Sequence, residues 1–342
     1  MKARMLMAVI TIAALVSAPF SFAADEDIGI FELIHASSVS FEETTAAVDA
    51  AFASSGLILH ATHDVRVPEE KHRARVYVVT SPAYQDAASA ELGRTVSAQV
   101  LRLAVYTQGD GQTTYINMAN PVAHAMVFYA NSPNYDAMLT AAAQAAAEVR
   151  RLVAGIPGEA RSEQQAPRRS EKHYNAFKGD GPARMMAKFR TFKKSQLVIA
   201  EDKAENFDAV IENVTAALSA RAVVGADDSE GWEQLALIRI GDDAAYIGLS
   251  NPYIEDKMVR INSRFRKDGK SELSPYPGVD HVAALPTEIL VVREGSKTLV
   301  LHYGQMWRMQ LYFWDSGYRA FTANVGVPSE IASSIEDTVS TD

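Results

Sequence analysis

The chain has 342 residues, no cysteine and a formal charge of −9 at pH 7. The missing cysteines exclude disulfides, thiolate metal sites, iron–sulfur clusters, Cys-linked haem and a lipid-anchored export signal. The acidic balance disfavours nucleic acid, whose affinity comes largely from neutralising phosphates.

The chain opens "MKARMLMAVITIAALVSAPFSFAADED". Lys2 and Arg4 precede an apolar run of 12 residues, Met5 to Val16, and Ser21-Phe22-Ala23 places small residues at a cleavage site. This is the anatomy of a secretory signal peptide, residues 1–23. An uncleaved anchor is the other reading, but the run is short for a hydrocarbon layer about 30 Å thick. Cleavage leaves about 319 residues with a charge near −11, room for two domains. A periplasmic or secreted protein without stable membrane insertion is expected, held together by its core.

"IFELIHA" from Ile30 predicts a strand. In "VSFEETTAAVDAAFASSG", Ser40 with Glu43 three residues on makes a capping box. Phe41, Thr45, Val48 and Phe52 form one helical stripe, and Gly56 suits the stop. "LILHATHDV" and "ARVYVVTSP" follow as strands. In "VLRLAVYTQGDGQTTYINMANP", Gly109-Asp110-Gly111 sits between alternating apolar runs, a hairpin signal. An Ala-rich helix then spans about Asn134 to Ala154, burying Met138, Ala142, Ala145, Val149 and Leu152. The first unit, residues 28–155, is therefore β-α-β-β-β-β-α.

Gly155 to about Gly181 is polar and carries Gly and Pro, and it reads as a tether. With the basic "RMMAKFRTFKK" (Arg184–Lys194), it makes a linker over 156–193. That basic segment is either a membrane-surface helix or a short docking helix.

The second unit, 194–342, repeats the order. "QLVIAED" is its first strand, and Asn206 caps a helix whose stripe is Phe207, Ile211, Val214 and Leu218. "LALIRIGDDAAYIGLSNP" supplies two strands, followed by a loop-rich insertion from about Ser263 to Pro286. "TEILVVREGSKTLVLHYG" is a hairpin turning at Glu294-Gly295-Ser296. A shorter helix runs from Ser329 to about Val339.

The first unit resembles the bacterial domain-of-unknown-function 302 family, on "SFEETTAAVDAAFASSGL", "RVYVVTSP" and "LAVYTQGDGQTTYINMANPVAHAM". The second is similar to a diverged copy. The resemblance implies an α+β fold of two tandem TATA-binding-protein-like units with curved antiparallel sheets, and it implies no reaction. The chain departs from the family pattern at Thr80-Ser81-Pro82, at Asn120-Pro121 and at Gly304-Gln305-Met306. By order along the chain, "YIGLSNP" corresponds to "VYVVTSP" rather than to "YINMANP".

Asn120, His124 and Asn251 sit at the Asn-Pro punctuation, as ligand-loop residues or as plain helix caps. "YGQMWRMQLYFWDSGYRAF" read as a strand puts Trp307, Met309, Leu311 and Phe313 on a core face. Tyr312 and Trp314 then fall on a mixed polar-aromatic binding face. If this stretch follows the first unit it is helical, and that face dissolves. His124, His302, Met306 and Met309 are the residues for an alternative copper or haem site. Against it, His124 and Met126 point apart on a helix, and methionine is more often core filler. His60 and His63 face opposite sides of one strand.

No metalloprotease, nucleophile-elbow or phosphate-loop motif is present. The reading is an exported, non-catalytic binding module whose partner is a small molecule or an envelope protein, with no cofactor. A periplasmic redox or metal- or haem-handling protein is the alternative, and an unrecognised hydrolase the third.

Overall fold

The computed structural model describes residues 27–67, 71–91, 93–109, 111–177, 179–180, 192–260 and 278–340. Its first part runs β1 (Ile28–Ser37), α1 (Phe41–Phe52), β2 (Ile58–Asp64), β3 (Ala74–Thr80) and α2 (Pro82–Ala87). After a 3-10 turn at Val96–Gln99 come β4 (Val100–Gln108), β5 (Thr113–Ala119), α3 (Pro121–Phe128), α4 (Tyr135–Val153), β6 (Gly158–Arg169) and α5 (Glu171–Asn175). The second part runs α6 (Phe192–Ser195), β7 (Gln196–Lys203), α7 (Phe207–Ala220), β8 (Glu233–Ile240), β9 (Ala244–Ser250) and α8 (Pro252–Arg260). A 3-10 segment, Gly278–Ala284, leads to β10 (Thr287–Glu294), β11 (Lys297–Tyr303), α9 (Gln305–Phe313), α10 (Gly317–Ala323) and α11 (Val327–Val339).

The fold is α+β with two antiparallel sheets. Their strand orders are β2-β3-β4-β5-β1-β6 and β8-β9-β10-β11-β7. Apart from β6 the orders are the same, with β1 and β7 returning to lie beside the last hairpin of their own unit. The irregularities repeat as well. β2 bulges against β3 between Leu59 and Ala61, and β8 against β9 between Gln234 and Ala236. β1 bulges between Leu33 and His35, and the β7–β11 ladder shifts between Val300 and Leu301. Bulges are positioned features of a fold, so their recurrence at matching places marks one unit used twice. "YIGLSNP" (β9 into α8) matches "VYVVTSP" (β3 into α2), as the chain order requires.

Local signals carry through. Ser40 Oγ accepts the Glu43 N–H at 3.2 Å while Glu43 Oε2 accepts the Ser40 N–H at 3.0 Å, closing the capping box. Phe41, Thr45, Val48 and Phe52 are buried, as are Phe207, Ile211, Val214 and Leu218. Gly109 and Gly295 take positive φ at the two hairpin turns, where a side chain would be strained. Two details differ. α1 ends at Ala53, ahead of Gly56, and Asn206 directs its amide to Asp202 rather than capping α7.

The tether is the principal correction. Residues read as a linker form β6, which pairs antiparallel with β1 from Ile28↔Arg169 to Ser37↔Gly158. The reading missed it because most of its side chains are exposed or half-buried, so apolar alternation never appears. Gly158 starts the strand at φ +142°, where an added Cβ would collide with the Ala36 carbonyl. The signal peptide, Arg184–Arg190 of the basic segment and most of the Ser263–Pro286 insertion lie outside the described residues.

The units share a core. On sheet two, Ile247, Leu249, Ile289 and Val291 face α7 and α11 in a core of their own. The opposite face, with Tyr246, Leu290, Val292 and Leu301, joins one apolar cluster with Phe31, Val76, Ala104 and Ile116 of the first unit. β4 and β9 are consequently buried on both faces, which explains why apolar residues dominate both rather than alternating with polar ones.

Candidate functional site

A charged network lies in that shared core. Arg102 projects from near the start of β4, His124 from α3, Glu288 from β10, and Arg308 and Tyr312 from one face of α9. Arg102 Nη2 donates to Tyr312 Oη at 2.7 Å, and its Nη1 donates to the Ala284 carbonyl at 3.1 Å. Arg308 donates to the same carbonyl at 2.9 Å and pairs with the Glu288 carboxylate. His124 Nε2 lies 3.0 Å from Tyr312 Oη and 3.1 Å from Arg102 Nη2.

The strand registers show where these residues come from. Arg102 stands opposite Val78 and Glu288 opposite Gly248, each two residues before the end of its strand. Arg102 and Glu288 therefore occupy the same place in the repeated unit. Counting on through β5–α3 and β11–α9, His124 matches Arg308 and Phe128 matches Tyr312. Where the units face each other, equivalent positions carry different and complementary groups.

Burial, then the Arg102 and Arg308 guanidiniums, holds His124 well below the usual histidine range, so the ring is neutral. Its Nε2 then accepts from Tyr312, whose oxygen in turn accepts from Arg102. Burial opposes the charge on Arg102, but the hydroxyls of Tyr312 and Tyr246 and the Glu288 carboxylate outweigh it. Its Nε has no partner among the described residues. Nearby, His281 Nδ1 lies 2.8 Å from Asp280 and its Nε2 lies 3.2 Å from Asp315. Burial opposes protonation there, and the two carboxylates override it, lifting His281 to about 9. The Phe31 ring touches both groups, with its centroid 4.9 Å from His281 and 5.8 Å from Tyr312.

Arg308 and Tyr312 also line a narrow cleft of about 40 Å³ among α8, α9 and the start of α11. Lys257, Thr287 and Gln305 supply polar groups, and Met309, Phe313 and Ile331 supply apolar wall. Lys257 Nζ sits 4.8 Å from the Tyr253 ring and has no acidic partner among the described residues. In the first unit Arg102 borders a smaller gap of about 10 Å³, walled by Phe52, Leu101, Leu103, Met118 and Val149. By strand register Thr287 and Gln305 stand where the first unit has Leu101 and Pro121.

Of the residues singled out from sequence, His124 and Tyr312 meet in the network. Asn120 is a cap: its Oδ1 accepts the Val122 N–H at 3.0 Å and its amide donates to Gly29 O. Asn251 accepts the Ile254 N–H and ties down the Asp228 and Gly231 carbonyls. Neither faces the cleft. The strand reading of Trp307 to Trp314 is overturned, because Gln305–Phe313 is helix α9, as its match to α3 requires. Trp307 is core, its Nε1 reaching Phe177 O, and Trp314 stacks edge-on with Phe321.

The His/Met set does not converge. His302 is held by the Tyr303 carbonyl, Gln305 and Glu336, while Met309 lines the cleft and Met306 is core. Among the described residues no group of three His, Asp or Glu stands close enough to hold an ion.

Arg102, Glu288, Arg308 and Lys257 were missed. A usable signal was a charge inside an apolar strand, as in "VLRLAV" and "TEILVV".

A second inter-unit contact joins His63 of β2 to α8. His63 Nε2 lies 2.6 Å from Glu255 Oε1 and 3.1 Å from Ser250 Oγ, while the Arg66 N–H donates to Glu255 at 2.6 Å. Serine and carboxylate address the same ring nitrogen, so this is not the relay of a serine hydrolase, which uses both nitrogens.

No helix of the described residues is long and apolar enough to cross a membrane. The chain matches no family model, no curated protein and no solved structure.

Proposed function

We propose that this is an exported binding protein of the bacterial envelope, built from two units of the TATA-binding-protein-like type and akin to the 302 family. It takes a small amphipathic anion in the cleft of the second unit and does not transform it. One observation carries this reading. A mainly apolar cleft is lined by Lys257, a half-buried cation without a carboxylate partner among the described residues, and by Gln305 and Arg308. Apolar walls with a few convergent polar groups are what small-molecule sites have in common. Among the described residues nothing at the cleft pairs a nucleophile with a base.

Titration calorimetry and thermal shift on the mature protein, using alkanoates of graded chain length and the matching alcohols, test this. Alkanoates should bind and stabilise, and alcohols should bind at least tenfold more weakly. Met309→Trp, which fills the cleft, should abolish binding without unfolding the chain. Equal binding of acid and alcohol, or alkanoate binding untouched by Met309→Trp, would remove the proposal.

A further inference from the structure

The repeated architecture contains an internal comparison. In the first sheet the outer edge of β1 is covered by β6, and nearly every residue of β1 is buried. β7 holds the same place in the second sheet. Among the described residues no strand covers its outer edge, and each of its residues is half-buried or exposed. Val198 in its middle is 37% exposed, and an open groove runs beside Leu197, Val198 and Ile199 toward the end of α11. This tract carries no charge and no proline, the usual means by which a free edge is kept from pairing. The bulge in β7 is no obstacle, because β1 has the matching bulge and still accepts β6 across it.

The charges identify the occupant. Lys193 and Lys194 precede the strand, exposed and without an acidic partner among the described residues, while Glu201 and Asp202 stand near its far end ahead of Lys203, Glu201 also pairing with Lys297 of β11. An antiparallel copy of the same strand lays Lys193 and Lys194 of each chain against Glu201 and Asp202 of the other. We infer that β7 pairs with β7 of a second copy about a two-fold axis, joining two five-stranded sheets into one. Such an isologous contact needs only a self-complementary edge, and its charge pairs set the register, so that reversing one set places like charges in direct opposition.

Sedimentation velocity on the mature protein, from micromolar to submillimolar concentration and at two salt concentrations, tests this. The expected result is a dimer. K193E/K194E and E201K/D202K, each verified as folded by circular dichroism, should each be largely monomeric. Mixed one to one they should form a heterodimer, because both contacts then regain opposite charges. A wild-type monomer across the whole range overturns the inference, as does a dimer that survives both reversals. The inference stands or falls independently of the cleft.

Discussion

Arg102 and Glu288 occupy equivalent positions on the fourth strands of their units, yet one is a guanidinium and the other a carboxylate. Both are buried where the units meet, and Arg308, the counterpart of His124, links them by sharing the Ala284 carbonyl with Arg102 while pairing with Glu288. Removing one member of a buried pair strands the other. Glu288→Ala should therefore cost about 3–5 kcal/mol in urea unfolding. A cost below about 1 kcal/mol would show that the network contributes nothing to holding the units together.

The histidines predict a stability maximum close to their ordinary pKa, about 6.5. His281 and His63 are raised on folding: burial works against both, and Asp315 with Asp280, and Glu255, respectively overcome it. Their contribution is complete below about pH 6.5 and is lost as pH rises through the folded values, about 9 for His281. His124 is depressed by burial and by Arg102 and Arg308, so protonation of the unfolded chain erodes stability as pH falls below about 6.5. Melting temperature against pH should be a dome, and His281→Asn should flatten its alkaline side. An alkaline limb unchanged in that variant contradicts the assignment.

Phe52 closes the stripe of α1 and lies over Tyr77, with ring centroids 5.8 Å apart. Phe52→Asp places an unpaired charge in that core and should cost about 3–5 kcal/mol or more. Phe52→Leu should cost clearly less. Equal melting of the two variants would mean that this face does not pack as described.

Two helix starts that look alike in sequence should respond differently. Ser40→Ala removes a reciprocal cap and should cost about 1 kcal/mol. Asn206→Ala removes only an exposed contact to Asp202 and should stay within about 0.5 kcal/mol. Paired denaturant curves distinguish them.

Much of the fold was legible because it rests on local rules. The Ser40–Glu43 box, the stripe from Phe207 to Leu218 and the Gly109 and Gly295 turns are specified within a few residues, and each forms as read. β6 was illegible for a physical reason: an edge strand solvated on both faces needs no apolar period, and its partner β1 lies over a hundred residues upstream. The site was half legible. His124 and Tyr312 drew notice as residue types, but Arg102 and Glu288 look like odd charges in apolar strands until the registers place them face to face.

The amino-acid order alone determined an α+β chain in which a striped helix follows the first strand of each unit and hairpins come after it, since hydrophobic period, caps and turn residues act over short range. Only the tertiary structure decided that the two repeats close on one core, that equivalent positions become charge partners across it, and that one sheet edge is sheltered while its counterpart is open. Those outcomes depend on long-range pairing and on the loss of water around particular groups, neither of which is written in any short stretch of chain.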